Sequence, residues 1–373
     1  MTKRIPLSIP DLRGREAEYL NQCVVDNWVS SAGPFVTEFE EKMAALTNRR
    51  HAVATVNGTA SIHLALLAAG VEPGDRVIVP DWTFAASANA VHHAGAEPFL
   101  IDVATESWTL DPDLVGEAIA IKGNRIKAII VVHTLGQSAD MDAINNSAKG
   151  LPIIEDAAGA IGADYRNHHV GKDSTLATFS FNGNKTVTAG GGGMVVCDDE
   201  DAANRLRHLS TQARIGDKYT HDEIGFNYRM TNLNAAVGLA QLERLQEMVA
   251  AKREIAERYD QVVTERSDLA PMPKAEWADS SCWLYSVLTA SPEDAASLIA
   301  TMTANEIEAR EFWRSLSEQG PFKSAPNLLK GISRTLTGRV VSLPCSSHLT
   351  TDEQNRVIDC LQNWHGTKID LAA

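Results

Sequence analysis

Two kinds of apolar pattern alternate along the chain. Short, nearly continuous apolar runs stand at Arg76–Pro80 (RVIVP), 97–102 (EPFLID), 127–132 (KAIIVV), 151–155 (LPIIE) and 194–197 (MVVC). Runs without polar alternation predict strands covered on both faces, as in a parallel sheet. Between them, apolar positions recur at helical spacing. Ile62, Ala65, Leu66 and Ala69 share one face of a helix over 59–69, with Asn57 as its N-cap. Residues 83–94 predict a second helix, and 140–149 the crossover helix of a βαβ unit. Residues 198–201 read as the charged start of another. Residues 232–262 are rich in Ala, Leu, Glu and Arg. They predict one long helix joining a large domain (1–250, with an N-terminal arm) to a smaller one (251–373). The class is therefore α/β: a large domain with a mostly parallel, seven-stranded-type sheet flanked by helices, plus a smaller α+β C-terminal domain.

At 373 residues and 44% hydrophobic content the chain can bury two such cores. Its formal net charge of −14 argues against nucleic acid and anionic membrane surfaces as partners. No run of about 18 apolar residues predicts a membrane span. The five cysteines, Cys23, Cys197, Cys282, Cys345 and Cys360, are scattered and form no CxxC. That argues against a disulfide framework or zinc site and for a reducing, cytoplasmic setting. No metal is expected: His168-His169 lacks further ligands and reads as a solvated turn.

Four places carry candidate chemistry. Asp156 follows LPIIE at the carboxyl end of a predicted parallel strand, where α/β sheets bind ligands; capping the next helix is the alternative. Lys185 lies in the polar loop FSFNGNK (179–185), ahead of Gly190–Gly193. A surface lysine is the alternative there. A P-loop is excluded because Asn184, not glycine, precedes the lysine. A dinucleotide fingerprint fails because the glycines lead into a strand. Asn57-Gly58-Thr59 opens a helix whose free N–H groups suit an anion, with the Thr59 and Ser180 hydroxyls as further donors. Trp82 follows RVIVP and offers a flat face for stacking; a core tryptophan is the alternative.

Six stretches, VNGTASIHLAL (56–66), GDRVIVPDWTFAASANAV (74–91), GQSADMD (136–142), IIEDAAGAIGA (153–163), FSFNGNKTVTAGGGGMV (179–195) and GFNYRMTNLNAAVGLAQL (225–242), resemble the DegT/DnrJ/EryC1/StrS family of sugar aminotransferases. That family belongs to fold-type I (aspartate aminotransferase-like) and uses pyridoxal 5'-phosphate (PLP). The resemblance covers nearly the whole chain. It implies Lys185 as the Schiff-base lysine and Asp156 as partner of the ring nitrogen, the two catalytic residues. Trp82 matches the ring-stacking position, and Gly58, Thr59 and Ser180 match phosphate contacts. Asn227 matches a residue reaching the cofactor of a neighbouring subunit, which implies a homodimer with shared active sites.

One departure stands in the cofactor site. Gly159 replaces the Gln or His that usually touches the ring hydroxyl, leaving that contact absent or supplied by Asn182 or a water. Relatives that run a dehydration carry histidine at the lysine position, so Lys185 favours transamination. The resemblance is greatest to the legionaminic-acid-type branch. It implies L-glutamate as donor and a nucleotide-linked 4-keto-6-deoxy sugar as acceptor, in cell-surface glycan synthesis. A free octulosonate- or nonulosonate-like sugar acid, or a PLP-dependent sugar dehydration, is the alternative. Tyr228, Arg229, Arg310 and Trp313 are further residues near such a site, with packing the favoured role for Arg229, Arg310 and Trp313. His133 reads as structural.

Overall fold

The apolar runs become the strands of one sheet. A computed structural model describes residues 3–216 and 218–369. Its large sheet contains β1 (His51–Thr55), β2 (Arg76–Pro80), β3 (Glu97–Ile101), β4 (Ile126–Val132), β5 (Ile153–Asp156), β6 (Leu176–Ser180) and β7 (Gly193–Cys197). Their spatial order is β1-β7-β6-β5-β4-β2-β3, and the two-residue strand Asn327–Leu328 pairs beside β3 as an eighth. Strand β7 runs antiparallel to both neighbours; the other pairs are parallel. The unbroken apolar runs have a simple cause. Val77, Val79 and Ile130 face one core, while Ile78, Ile129 and Val131 face another on the opposite side of the sheet.

The helix Gly58–Ala68 follows β1, and the Asn57 side chain accepts from the Ala60 N–H. It is buried around most of its circumference, between the sheet and neighbouring helices, which removes the expected one-sided pattern. The helix after β2 starts only at Ala86, because residues 81–84 form the loop that leaves the sheet. The predicted 232–262 helix is two: Asn232–Leu242, capped by Thr231, and Leu245–Val263. Arg244 breaks the helix between them and reaches Asp11 and Glu247.

Leu245–Val263 does join two cores. Leu245, Met248 and Val249 pack in the large unit, and Ile255, Tyr259 and Val263 in the small one. The small unit is an antiparallel sheet of Leu269–Pro271, Tyr285–Thr289, Val340–Leu343 and Arg310–Glu311, covered by Pro292–Ala304 and Thr351–Asn363.

A single cut at residue 250 does not separate the two units. Ile5 of the N-terminal arm is wholly buried in the small core and bridges to Ile307, and the Leu7 carbonyl accepts from the Cys345 N–H. Conversely, Asn327–Leu328 returns to the large sheet. Asp102, at the end of β3, accepts from the N–H groups of Lys330, Gly331, Ile332 and Ser333 and so fixes the returning segment. No described helix is long and apolar enough to cross a membrane.

Candidate active site

A cavity of roughly 540 Å³ opens where β4, β5 and β6 end and the helix Gly58–Ala68 begins. Asp156, last residue of β5, is nearly buried in its wall. Both carboxylate oxygens are held: Ser87 Oγ donates to Oδ2 at 2.7 Å, and the Ala158 N–H to Oδ1 at 3.1 Å. It organises a turn and caps no helix, since none follows it directly.

Lys185 reaches the same cavity from the loop after β6. Among the described residues its ammonium makes no ion pair or hydrogen bond; it lies 3.4 Å from the centre of the Trp283 ring. Burial of that ammonium lowers its pKa to about 7, partly opposed by the charge of Asp156. A buried amine with a near-neutral pKa is a ready nucleophile and base.

At the helix N-terminus, the N–H groups of Gly58 and Thr59 have no acceptor among the described residues. A Cβ on Gly58 would stand 2.8 Å from the Ser180 Cβ, so only glycine lets the helix end approach β6 this closely. Gly191 and Gly192 complete that side of the wall. Free N–H groups on a positive helix end, with the hydroxyls of Thr59 and Ser180 beside them, form an anion cradle. Asn182 also lines the cavity.

Trp82 is not the flat wall. Its indole is wholly buried, edge-on to Trp108 and Trp313 at 5.5 Å each, and its Nε1–H donates to the Trp313 carbonyl. Phe84, two residues on, lines the cavity and is 62% exposed. An aromatic ring that exposed at a cavity has surface to bury against a ligand.

Gly159 has a structural reason. A Cβ there would meet Trp283 Cε3 at 2.4 Å, so the indole occupies the space of a side chain at 159. Trp283 is clamped at both ends: its Nε1–H donates to the Asn184 carbonyl at 2.8 Å, and its own carbonyl accepts from the buried Lys252 ammonium. His133 also lines the cavity but is fully occupied. Its Nδ1 accepts from the Ala139 N–H, which leaves Nε2 to donate to Glu155 Oε2 at 2.7 Å. Burial raises the Glu155 pKa, but the His133 bond, with help from the Gly171 N–H, outweighs it and holds the carboxyl below its usual value.

The remaining sequence candidates divide. Arg310 and Trp313, favoured for packing, both line the cavity, together with Glu311 and Phe312. Arg229 does not; it bridges to Thr55 and lines a separate cavity with Glu40 and Arg207. Tyr228 stacks on Phe226. Asn227 is exposed and off the cavity, bridging to Thr211. His168-His169 is no solvated turn but a strand against Asp164–Tyr165. His168 bonds to Asp173, and His169 accepts from the Gly162 N–H. His208, Asp222 and Glu223 bring ligand atoms together, but a His208–Asp222 bond and an Arg205–Glu223 pair already occupy them.

The sequence reading missed Phe84 and Trp283. An aromatic in the loop after a strand end was the only signal for Phe84, and Trp82 shared it. Trp283 comes from the small unit and carries no local signal. The cradle, the free amine and the carboxylate at a strand end together fit an anionic pyridine aldehyde such as PLP.

Comparisons with known proteins agree. The E. coli O157:H7 protein named GDP-perosamine synthase is 36% identical over 98% of this chain and all of its own length. The solved structure of S. venezuelae DesV in complex with a ketimine intermediate aligns with a TM-score of 0.90 at 31% identity, over 97% of this chain and 99% of that one. DesI, solved in the presence of its TDP-sugar product, aligns with a TM-score of 0.87 at 29% identity, over 97% and 93%. The sequence model described as the DegT/DnrJ/EryC1/StrS aminotransferase family matches residues 10–362, and the chain belongs to that family of PLP-dependent sugar aminotransferases.

Proposed function

We propose that the chain moves an amino group from L-glutamate to the ketone of a nucleotide-linked 4-keto-6-deoxy sugar, as a homodimer with shared sites. The observation that carries this reading is the Lys185 ammonium: desolvated, unpaired among the described residues, and within electrostatic reach of Asp156. The nucleotide part draws support from the GDP- and TDP-sugars in the relatives' names. Asn227 is exposed and off the cavity of its own chain, which leaves it available to a second copy's site and supports the shared-site reading. The five cysteines are all free, which supports a cytoplasmic setting.

PLP, when bound, supplies an aldehyde carbon that condenses with primary amines and a protonated ring that draws off electrons. The Lys185 amine would hold the cofactor through its aldehyde carbon until a donor's amino group takes its place. Nζ would then be the base that takes the proton from the donor α-carbon and the acid that returns it. With the keto-sugar, Nζ carries the proton back the other way. The Asp156 carboxylate, held by Ser87 and Ala158, keeps the ring nitrogen protonated. Gly58, Thr59 and Ser180 would hold its phosphate. Phe84 would offer its ring to the cofactor in the role expected of Trp82, and Asn182 lines the cavity.

The direct test is a visible absorbance spectrum of the PLP-loaded protein before and after L-glutamate. The expected result is a visible band that L-glutamate converts to the pyridoxamine form. A band indifferent to L-glutamate would remove it as donor.

The two aromatic residues after β2 should separate cleanly. Phe84→Ala is expected to weaken PLP binding about tenfold, the worth of one aromatic contact of ~1.4 kcal/mol, with little effect on folding. Trp82→Ala is expected to cost about 3–5 kcal/mol of stability in denaturant unfolding, since it empties a buried site. The reverse pattern would restore Trp82 as the ring wall.

A further inference from the structure

We propose that Trp283 is a positioning residue for the reaction: its indole grips Lys185 at both ends and fixes where the amine stands in the cavity. The inference rests on the reading of Lys185 as the reacting amine. The ring centre lies 3.4 Å from the Lys185 ammonium, and the Nε1–H of the same indole donates to the Asn184 carbonyl at 2.8 Å. That carbonyl belongs to the peptide group leading into Lys185. It takes a second donor, the Ser8 hydroxyl of the N-terminal arm, at 3.1 Å. The N–H of the same peptide group, that of Lys185, donates to the Asn182 carbonyl at 3.0 Å. Both lone pairs and the one proton of this peptide are therefore in use.

A loop of this composition needs such a hold. Gly183 and Gly190–Gly193 flank Lys185, and glycine leaves the backbone free to turn. The lysine adds a flexible four-carbon stem of its own.

The hold is itself fixed. The Trp283 carbonyl accepts from Lys252 Nζ at 3.2 Å, and the same ammonium donates to the Cys345 carbonyl. The Cys345 N–H donates to the Leu7 carbonyl at 2.8 Å, and Leu7 precedes Ser8. The bonds close a circuit through Lys252, Trp283, Asn184, Ser8, Leu7 and Cys345 and back. It ties the long joining helix, the small unit, the lysine loop and the arm together. Lys252 is buried without a carboxylate partner among the described residues, and burial lowers its pKa. A buried ammonium bonded only to carbonyls is costly, and here it fixes two chain segments on which the site depends.

Gly159 belongs to the same device. A Cβ there would overlap the indole, so a side chain at 159 and the grip on Lys185 exclude each other. The charged and titratable groups that face Lys185 around the cavity are Asp156, His133, Arg310 and Glu311, and Trp283 adds none. Its part is to place the amine and keep water from it. A misplacement of about 1 Å can lower a rate about 10²-fold.

The test compares wild type, Trp283→Phe and Trp364→Phe. Phenylalanine keeps an aromatic face, has no N–H and fills less space. Trp364 is buried in the small core, where its Nε1–H donates to Ser297 Oγ, so its variant controls for lost stability alone. In the cofactor-free protein, acylation of Lys185 is followed against pH, with the labelled site located by mass spectrometry. In the PLP-loaded protein, the rate of conversion to the pyridoxamine form is measured against L-glutamate concentration. Trp283→Phe is expected to lower the saturating rate at least tenfold and keep the half-saturating concentration within threefold. Its acylation midpoint should rise as water reaches the amine. Trp364→Phe should match wild type in both readouts. Wild-type behaviour in Trp283→Phe overturns the grip, and an inactive Lys185→Met beside it leaves the reading of Lys185 standing. An equal loss of rate in both tryptophan variants also overturns it. A raised half-saturating concentration at an unchanged rate overturns it too and makes Trp283 a wall for the donor. If wild type does not respond to L-glutamate, the donor is another and the acylation midpoints decide. If circular dichroism shows Trp283→Phe unfolded, Ser8→Ala decides instead: a fall of at least threefold in the saturating rate is expected, and no fall overturns the grip.

Discussion

Lys185→Met is expected to lower turnover by at least about 10⁴-fold, the upper range for loss of a positioned acid–base group, with loss of covalent attachment added. Among the described residues no other lysine lines the reaction cavity. Lys252, which bonds to the cavity-lining Trp283, is buried with its ammonium given to the carbonyls of Trp283 and Cys345. Methionine nearly conserves volume, so the fold should survive. Turnover above a trace, measured with L-glutamate and a keto-sugar, would remove Lys185 from the mechanism.

The same variant carries a stability signature in the cofactor-free protein. The folded-state pKa of Lys185, about 7, lies below its ordinary value of 10.5. Folding therefore penalises the protonated amine. The penalty is complete below pH 7, where both states are protonated, shrinks as pH rises from 7 to 10.5, and is gone above that. Lys185→Met should thus stabilise the cofactor-free protein at neutral pH by on the order of 2 kcal/mol, discounted because the side chain as a whole is only half-buried, and so raise its melting temperature. The gain should fade toward pH 10. A variant no more stable than wild type at pH 7 would show that the amine is solvated there.

Asp156→Asn should cost about 10²–10³-fold in kcat. A carboxylate about 4 Å from a ring cation gains roughly 4 kcal/mol at an effective dielectric near 20, and desolvation takes back part of it. Asparagine keeps the shape, and its amide oxygen can still accept from Ser87 or Ala158. The loss should therefore reach catalysis without unfolding the protein. A second readout follows from charge. Asp156 raises the pKa of Lys185, so its removal should push that pKa below about 7. Acylation of Lys185 in the cofactor-free protein, followed against pH, would show its midpoint move to lower pH. An unmoved midpoint, or a kcat within threefold of wild type, would make Asp156 a turn-former only.

The parts of the site that sequence made legible lie at the ends of apolar runs. Asp156 closes β5, Ser180 closes β6, and Gly58 starts the helix after β1. Topology sends such positions to one edge of a parallel sheet, so their neighbourhood follows from local pattern. Lys185 was legible from its polar, glycine-rich loop. Trp82 and Phe84 share one loop, and only packing decides which ring is swallowed: Trp108 and Trp313 take the indole. Trp283 and Arg310–Trp313 lie in or beside strands of the small antiparallel sheet about 100 residues downstream, and no local period announces that they cover the site. Gly159 read as a lost contact, whereas the folded chain shows an indole in its place. The helix break at Arg244 was hidden because both halves keep helical composition.

The arm that joins Ile5 to Ile307 and Leu7 to Cys345 also sets an order of events during synthesis. At about 5–20 residues per second, the arm leaves the ribosome roughly 20–70 s before residue 345 is made. Strands β1 to β7 need nothing beyond residue 197, so their sheet can close first. The arm's buried isoleucine stays uncovered until the last third of the chain arrives. Aggregation of unfinished chains should therefore concentrate on that arm, and the reaction cavity takes its final form only when the final domain docks.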